Sequence, residues 1–104
     1  MSIQSTALGT TVGNIFVATG TQGNVVSVAY FCNRSAGTTS FTLHLVPSGQ
    51  TAGANNIVYS NKAITASDTY ILELEKIILS AGDMLQASAN TGNAVVATVS
   101  TLGI

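Results

Sequence analysis

In the stretch Ser40-Phe41-Thr42-Leu43-His44-Leu45 the apolar residues Phe41, Leu43 and Leu45 alternate with Thr42 and His44. A period of two puts one set of side chains on a core and the other on the opposite face of a strand. Thr69-Tyr70-Ile71-Leu72-Glu73-Leu74-Glu75 repeats the pattern, with Tyr70, Leu72 and Leu74 inward and Glu73 and Glu75 outward. Asp83 to Ala89 does so again, with Leu85, Ala87 and Ala89 sharing one side, and Ala94 to Ser100 is rich in β-branched residues that suit a pleated surface. Ile3 to Leu8, Asn14 to Ala18, Asn24 to Asn33 and Ile57 to Ile64 complete a set of about eight short strands. Glycine and asparagine punctuate them at Gly13-Asn14, Gly20 to Asn24, Ala81-Gly82-Asp83 and Asn90 to Asn93, as hairpins needing positive φ require. The expectation is all-β: residues 1–104 as a single antiparallel β-sandwich domain, of jelly-roll or immunoglobulin-like topology.

One segment breaks the rhythm. Pro47 to Asn56 shows no alternation, and Pro47, having no N–H for a ladder, closes the strand before it. It reads as a crossover between two sheets; the functional alternative is a contact loop reaching a neighbouring subunit.

The composition narrows function by exclusion. Of 104 residues only 7% are charged, against about a quarter in an average domain, while the apolar fraction of 46% is ordinary. Three basic residues cannot neutralise a run of phosphates, so neither nucleic acid nor a membrane surface is expected as a partner. No apolar run approaches membrane-spanning length, and Met1 to Thr6 has neither the basic nor the apolar region of a secretory signal. Cys32 is the one cysteine, which removes any intrachain disulfide and fits synthesis in a reducing cytoplasm; in its apolar run it reads as a small core residue.

Chemistry is sparse. His44 is the sole histidine and falls on the outward side of its strand, so it reads as an exposed or interfacial polar residue rather than a base. Glu73 and Glu75 share a strand face about 7 Å apart at the strand rise, a separation a glycosidase uses. They lie beside Lys76 in a chain without tryptophan, and read as a solvated strand face that discourages edge pairing. Asp68 and Asp83 lack the acidic density of a calcium loop. No phosphate-binding glycine loop or nucleophile elbow occurs. The expectation is a protein that is no enzyme, with no catalytic, cofactor or metal residues and no cofactor.

What low charge does suggest is protein contact. On Val25 to Asn33, Val26, Val28, Tyr30 and Cys32 alternate with Val25, Ala29 and Phe31, so both faces are apolar. A two-sheet sandwich has one interior, so one of those faces is expected to meet another subunit, and interface cores are depleted in charge. Val25, Ala29, Phe31, Pro47, Gln50 and Tyr59 are the interface residues this reading selects. A second reading, a carbohydrate-binding or adhesin-like module, would use exposed aromatic residues, with Tyr59 and Phe16 as candidates and Tyr30, Phe31, Phe41 and Tyr70 in the core.

Two runs carry a resemblance: Tyr30-Phe31-Cys32-Asn33-Arg34-Ser35 followed by Leu43-His44-Leu45-Val46-Pro47-Ser48-Gly49, and Leu74 to Ala89 with its Ala81-Gly82-Asp83 hairpin before Gln86-Ala87. From about Val25 to Ile104 the chain resembles small virion structural proteins of tailed bacteriophages. The resemblance implies a β-sandwich, no catalytic residues, a place in the virion, and partners among virion proteins such as the major capsid protein. A capsid decoration (cement) protein, homo-oligomeric and preferably trimeric, is the role preferred; a tail, neck, baseplate or fibre component is the alternative.

Overall fold

The computed structural model describes residues 2–19, 23–72 and 77–103, with the side chains of residues 2 and 103 left aside. The described residues form nine strands and no helix: β1 (Ser2–Ala7), β2 (Gly13–Val17), β3 (Asn24–Asn33), β4 (Thr39–Val46), β5 (Ile57–Ile64), β6 (Thr69–Leu72), β7 (Ile77–Leu79), β8 (Met84–Ala89) and β9 (Val95–Gly103). Thr69 to Glu75, expected as one strand, is described only to Leu72; Glu73, Leu74, Glu75 and Lys76 lie outside the described residues. β7 is an additional strand.

The strands make two antiparallel sheets. Sheet A runs β1-β9-β3-β6, with β7 also paired to β3 beyond β6; sheet B runs β2-β8-β4-β5. With β6 and β7, which pair along the same side of β3, counted as one column, the pairings are nested: first with last, second with second-last, third with the β6/β7 column, and β4 with β5. One long hairpin wrapped into two layers gives this order, which is a jelly roll; of the two topologies expected, the immunoglobulin-like one falls away.

The alternation read from sequence builds the core. Val26, Ala29, Phe31, Ala97 and Val99 of sheet A face Phe41, Leu43, Leu85, Ala87 and Ala89 of sheet B, all buried. Phe31 and Phe41 stack across the layers, ring centroids 4.2 Å apart and planes 8° from parallel. Towards the β5/β6 margin, Tyr59 and Tyr70 pack edge to face and share a hydrogen bond of 2.8 Å between their hydroxyls, joining the margins of the two sheets. That bond, then partial burial and the neighbouring Tyr70, raise the Tyr59 phenol above its ordinary value.

A second clasp is polar. Asn33, fully buried at the end of β3, donates from Nδ2 to the carbonyls of Gly37 (2.9 Å), Ile64 (2.9 Å) and Thr65 (3.3 Å). Its Oδ1 accepts from the Ser35 amide (3.0 Å) and hydroxyl (2.7 Å). One side chain thus ties sheet A to the end of β5 in sheet B.

Three expectations need correction. The 47–56 segment joins β4 to β5, which are neighbours in sheet B, so it is an elaborated hairpin connection and not a crossover between sheets. His44 is buried beneath it: Asn56 Oδ1 can only accept, so His44 Nδ1 donates to it (2.9 Å). Asn56 also donates from Nδ2 to the Thr51 carbonyl, folding the loop back over the histidine. The third correction concerns the faces of β3. The pairing with β9 slips between Val26 and Val28, so Ser27 is an extra residue in the strand. After that bulge the parity flips: Ala29, Phe31 and Asn33 join Val26 inside, and Val28, Tyr30 and Cys32 turn outward.

Candidate interaction surface

The outer face of sheet A can be written as four rows across the strands. Leu102, Val25 and Ile78 form one; Ile3, Ser100 and Val28 the next; then Ser5, Thr98, Tyr30 and Ile71; then Ala7, Val96, Cys32 and Thr69. The Ser5 and Thr98 hydroxyls, 3.0 Å apart and hydrogen-bonded, confirm that β1 and β9 present these positions to the same side. None of these residues is charged, and the polar ones carry only hydroxyl groups. Ile3 and Ile78 are 72% and 71% exposed, with Leu102, Ile71 and Tyr30 at 40–50%. Four columns at about 4.8 Å and four rows at about 6.7 Å give a flat footprint of roughly 500 Å². Apolar patches of that order are at the top of what monomers expose, and commonly mark contact sites.

The expected interface residues are distributed differently. Val25 lies on this face, half-buried. Ala29 and Phe31 have no exposed surface, because the Ser27 bulge turns them into the core; they are withdrawn as contact residues. Pro47 and Gln50 are exposed in the β4–β5 connection, where the Gln50 amide donates to the Pro47 carbonyl. Tyr59 is half-buried and engaged with Phe41 and Tyr70. Phe16, a candidate exposed aromatic, is buried, whereas Tyr30, expected in the core, is exposed; Cys32, also expected there, is half-buried on the outer face. Ile71 and Leu102 were missed although a signal existed. In Tyr70-Ile71-Leu72 three consecutive apolar residues cannot all face one way.

Elsewhere the polar groups serve the fold. Asp83 accepts from the amides of Ser48 and Ser80, and Asp68 from the amide of Thr69. An open concavity of about 420 Å³ is framed by residues 49–56 of one loop, and of its polar side chains Asn56 is bonded to the loop's own backbone. Among the described residues no three of His, Cys, Asp and Glu approach closely enough to share a metal ion. Glu73 and Glu75, the candidate carboxylate pair, lie outside the described residues. Comparison with protein-family models, curated proteins and solved structures finds no match for this chain.

Proposed function

We propose that this chain is a non-enzymatic structural subunit of a virion, most simply a capsid decoration protein, acting by burying the outer face of sheet A against other protein. The observation that carries the proposal is that face: among the described residues it presents ten apolar or aromatic positions and four serines or threonines, none of them charged. Small hydroxyl side chains lose little on desolvation once bonded, as Ser5 and Thr98 already are, so the whole face can be buried. The resemblance to small phage structural proteins supplies the virion as the place where such a face is covered. A carbohydrate-binding reading loses Phe16 to the core and has Tyr59 tied to Tyr70.

The test is sedimentation of particles from the source of the chain on a density gradient, with heads and tails separated and the chain quantified in each. The chain is expected with heads, and a Tyr30→Lys/Ile71→Lys double variant is expected to remain in the soluble fraction. Recovery with tails alone would overturn the decoration role. Absence of the wild-type chain from all particles would overturn the virion reading.

A further inference from the structure

Both sheets are open, so the sandwich has four edge columns, and they are not equally guarded. An edge exposes a row of free N–H and C=O groups, which charges, prolines, bulges and short strands normally make unattractive to a partner. On β5 the edge carries Lys62, left-handed Asn61 (φ 52°) and two irregularities in its pairing with β4. The β6/β7 column is described in stretches of four and three residues, and the sequence between them holds the charges of Glu73, Glu75 and Lys76. The edge strand β2 is bulged between Asn14 and Phe16. Only β1 has none of these devices. Its six residues, Ser-Ile-Gln-Ser-Thr-Ala, pair with β9 in unbroken register, without charge, proline or bulge.

We infer that β1 is a strand-pairing site for a second copy of this chain, joined antiparallel edge to edge about a two-fold axis at Ser5. Which groups are free follows from the ladder. The Leu8 amide donates to the Val95 carbonyl (2.8 Å), in line with the β1–β9 register, so Thr6 and Gln4 are the bonded positions and Ile3, Ser5 and Ala7 direct their N–H and C=O away from β9. Three alternate residues with their midpoint at Ser5 are self-complementary. Ser5 pairs with Ser5 of the second copy and Ile3 with its Ala7, giving roughly six backbone hydrogen bonds, one N–H from each of three residues on each copy. The pairing keeps outer residues on the outer side: Ile3 comes beside Ala7 of the second copy, and the outer faces of the two A sheets become continuous across both chains. Each copy has the same face, and with no charge on β1 there is no repulsion between like charges at the axis. The contact is narrow, below the roughly 800 Å² per partner of a standard interface, so the dimer is reversible, with a dissociation constant of the order of 10⁻⁵–10⁻³ M. The inference does not depend on the virion reading, because strand pairing is measured on the purified chain alone.

The experiment is sedimentation velocity of the full chain up to about 1 mM. Wild type is expected to shift reversibly from monomer to dimer. Ser5→Pro removes the N–H at the axis, which β9 does not use, and is expected to weaken dimerisation at least tenfold; Ser5→Ala loses only the hydroxyl bond to Thr98 and is expected to dimerise as wild type. A second measurement does not rely on proline being tolerated. In a Cys32→Ser background, Ser5→Cys is expected to be joined into dimers by a short bismaleimide several-fold faster than Thr91→Cys, in an exposed loop. A chain that stays monomeric at the highest concentration overturns the inference. So does a dimer that folded Ser5→Pro leaves intact, or crosslinking no faster at Ser5→Cys than at Thr91→Cys.

Discussion

Truncating Asn33 to alanine tests whether the jelly roll is held at one end by a single buried amide. The side chain makes five contacts within hydrogen-bonding distance: three carbonyls share the two Nδ2 hydrogens, and Oδ1 takes two bonds from Ser35. The bond to the Ile64 carbonyl is fully buried, and leaving such an acceptor without its donor costs about 1–3 kcal/mol. The part-buried bonds to Gly37 and Ser35 contribute about 0.5–1.5 kcal/mol each, part of which water recovers once the side chain is gone. The expected loss for Asn33→Ala is therefore about 3–4 kcal/mol, a large share of the roughly 5–15 kcal/mol that holds a domain folded. At about 4–8 °C per kcal/mol the midpoint should fall by roughly 12–30 °C.

Urea unfolding followed by far-ultraviolet circular dichroism measures the loss directly, and Asn33→Asp sharpens the test. Aspartate keeps the acceptor for Ser35 but turns a second oxygen towards the carbonyls of Gly37 and Ile64. At pH 7 Asn33→Asp should thus be at least as destabilised as Asn33→Ala. Burial against carbonyls raises the carboxyl pKa in the folded state above its unfolded value, so the folded variant is favoured at low pH and loses stability as pH rises through that range. If Asn33→Ala costs less than about 1 kcal/mol, or Asn33→Asp matches wild type at pH 7, the clasp is not what joins the sheets there.

Four further outcomes follow from the same structure. Gly23 has φ 92°, and a Cβ there would overlap the Leu79 carbonyl oxygen, so Gly23→Ala should separate β7 from the start of β3 and lose more than about 2 kcal/mol in urea unfolding. Gly49→Ala, at φ 82° with open space around it, should lose about 1 kcal/mol. Phe31→Ala empties the centre of the inter-sheet stack and should cost about 3–5 kcal/mol; a double-mutant cycle with Phe41→Ala should return a coupling of about 0.5–1.5 kcal/mol. Because the Tyr59 phenol is raised above 10.0 in the folded chain, its contribution is intact below the unfolded value and lost as pH rises through the folded one. Wild-type thermal midpoints should therefore fall faster than those of Tyr59→Phe above about pH 10.

The two-residue period was enough to find the main strands because each β-residue declares its side by its neighbours. Ser40 to Leu45 and Asp83 to Ala89 behave as written, with Phe41, Leu43, Leu85, Ala87 and Ala89 buried. Nested pairing left no comparable trace, since strand order depends on contacts between residues far apart in the chain. The same holds for the clasps. Asn33 looks like a turn residue after an apolar run, yet its amide is spent on Ile64, thirty-one positions away. His44 stands on the side alternation assigned it, but the loop that buries it is anchored by Asn56, which has no local signature.

The Ser27 bulge shows why the candidate surface was harder to read than the fold. One extra residue in β3 exchanges the two sets of side chains beyond it, because the strand's period is two. Both sets, Val28-Tyr30-Cys32 and Ala29-Phe31, are apolar enough to be buried, so hydrophobicity alone does not choose between them. Packing across the sheets does: Phe31 turned inward meets Phe41 in a stack, and Asn33 two residues later reaches Ile64. Those contacts fix the register after the bulge, and Tyr30 is left outside beside Ile71. The apolar outer face is thus not an excess of core-forming residues. It is the remainder of a strand apolar on both sides after its core partners have been chosen, and the uncharged neighbours of β3 on β1, β6 and β9 leave these described positions open to burial by another chain.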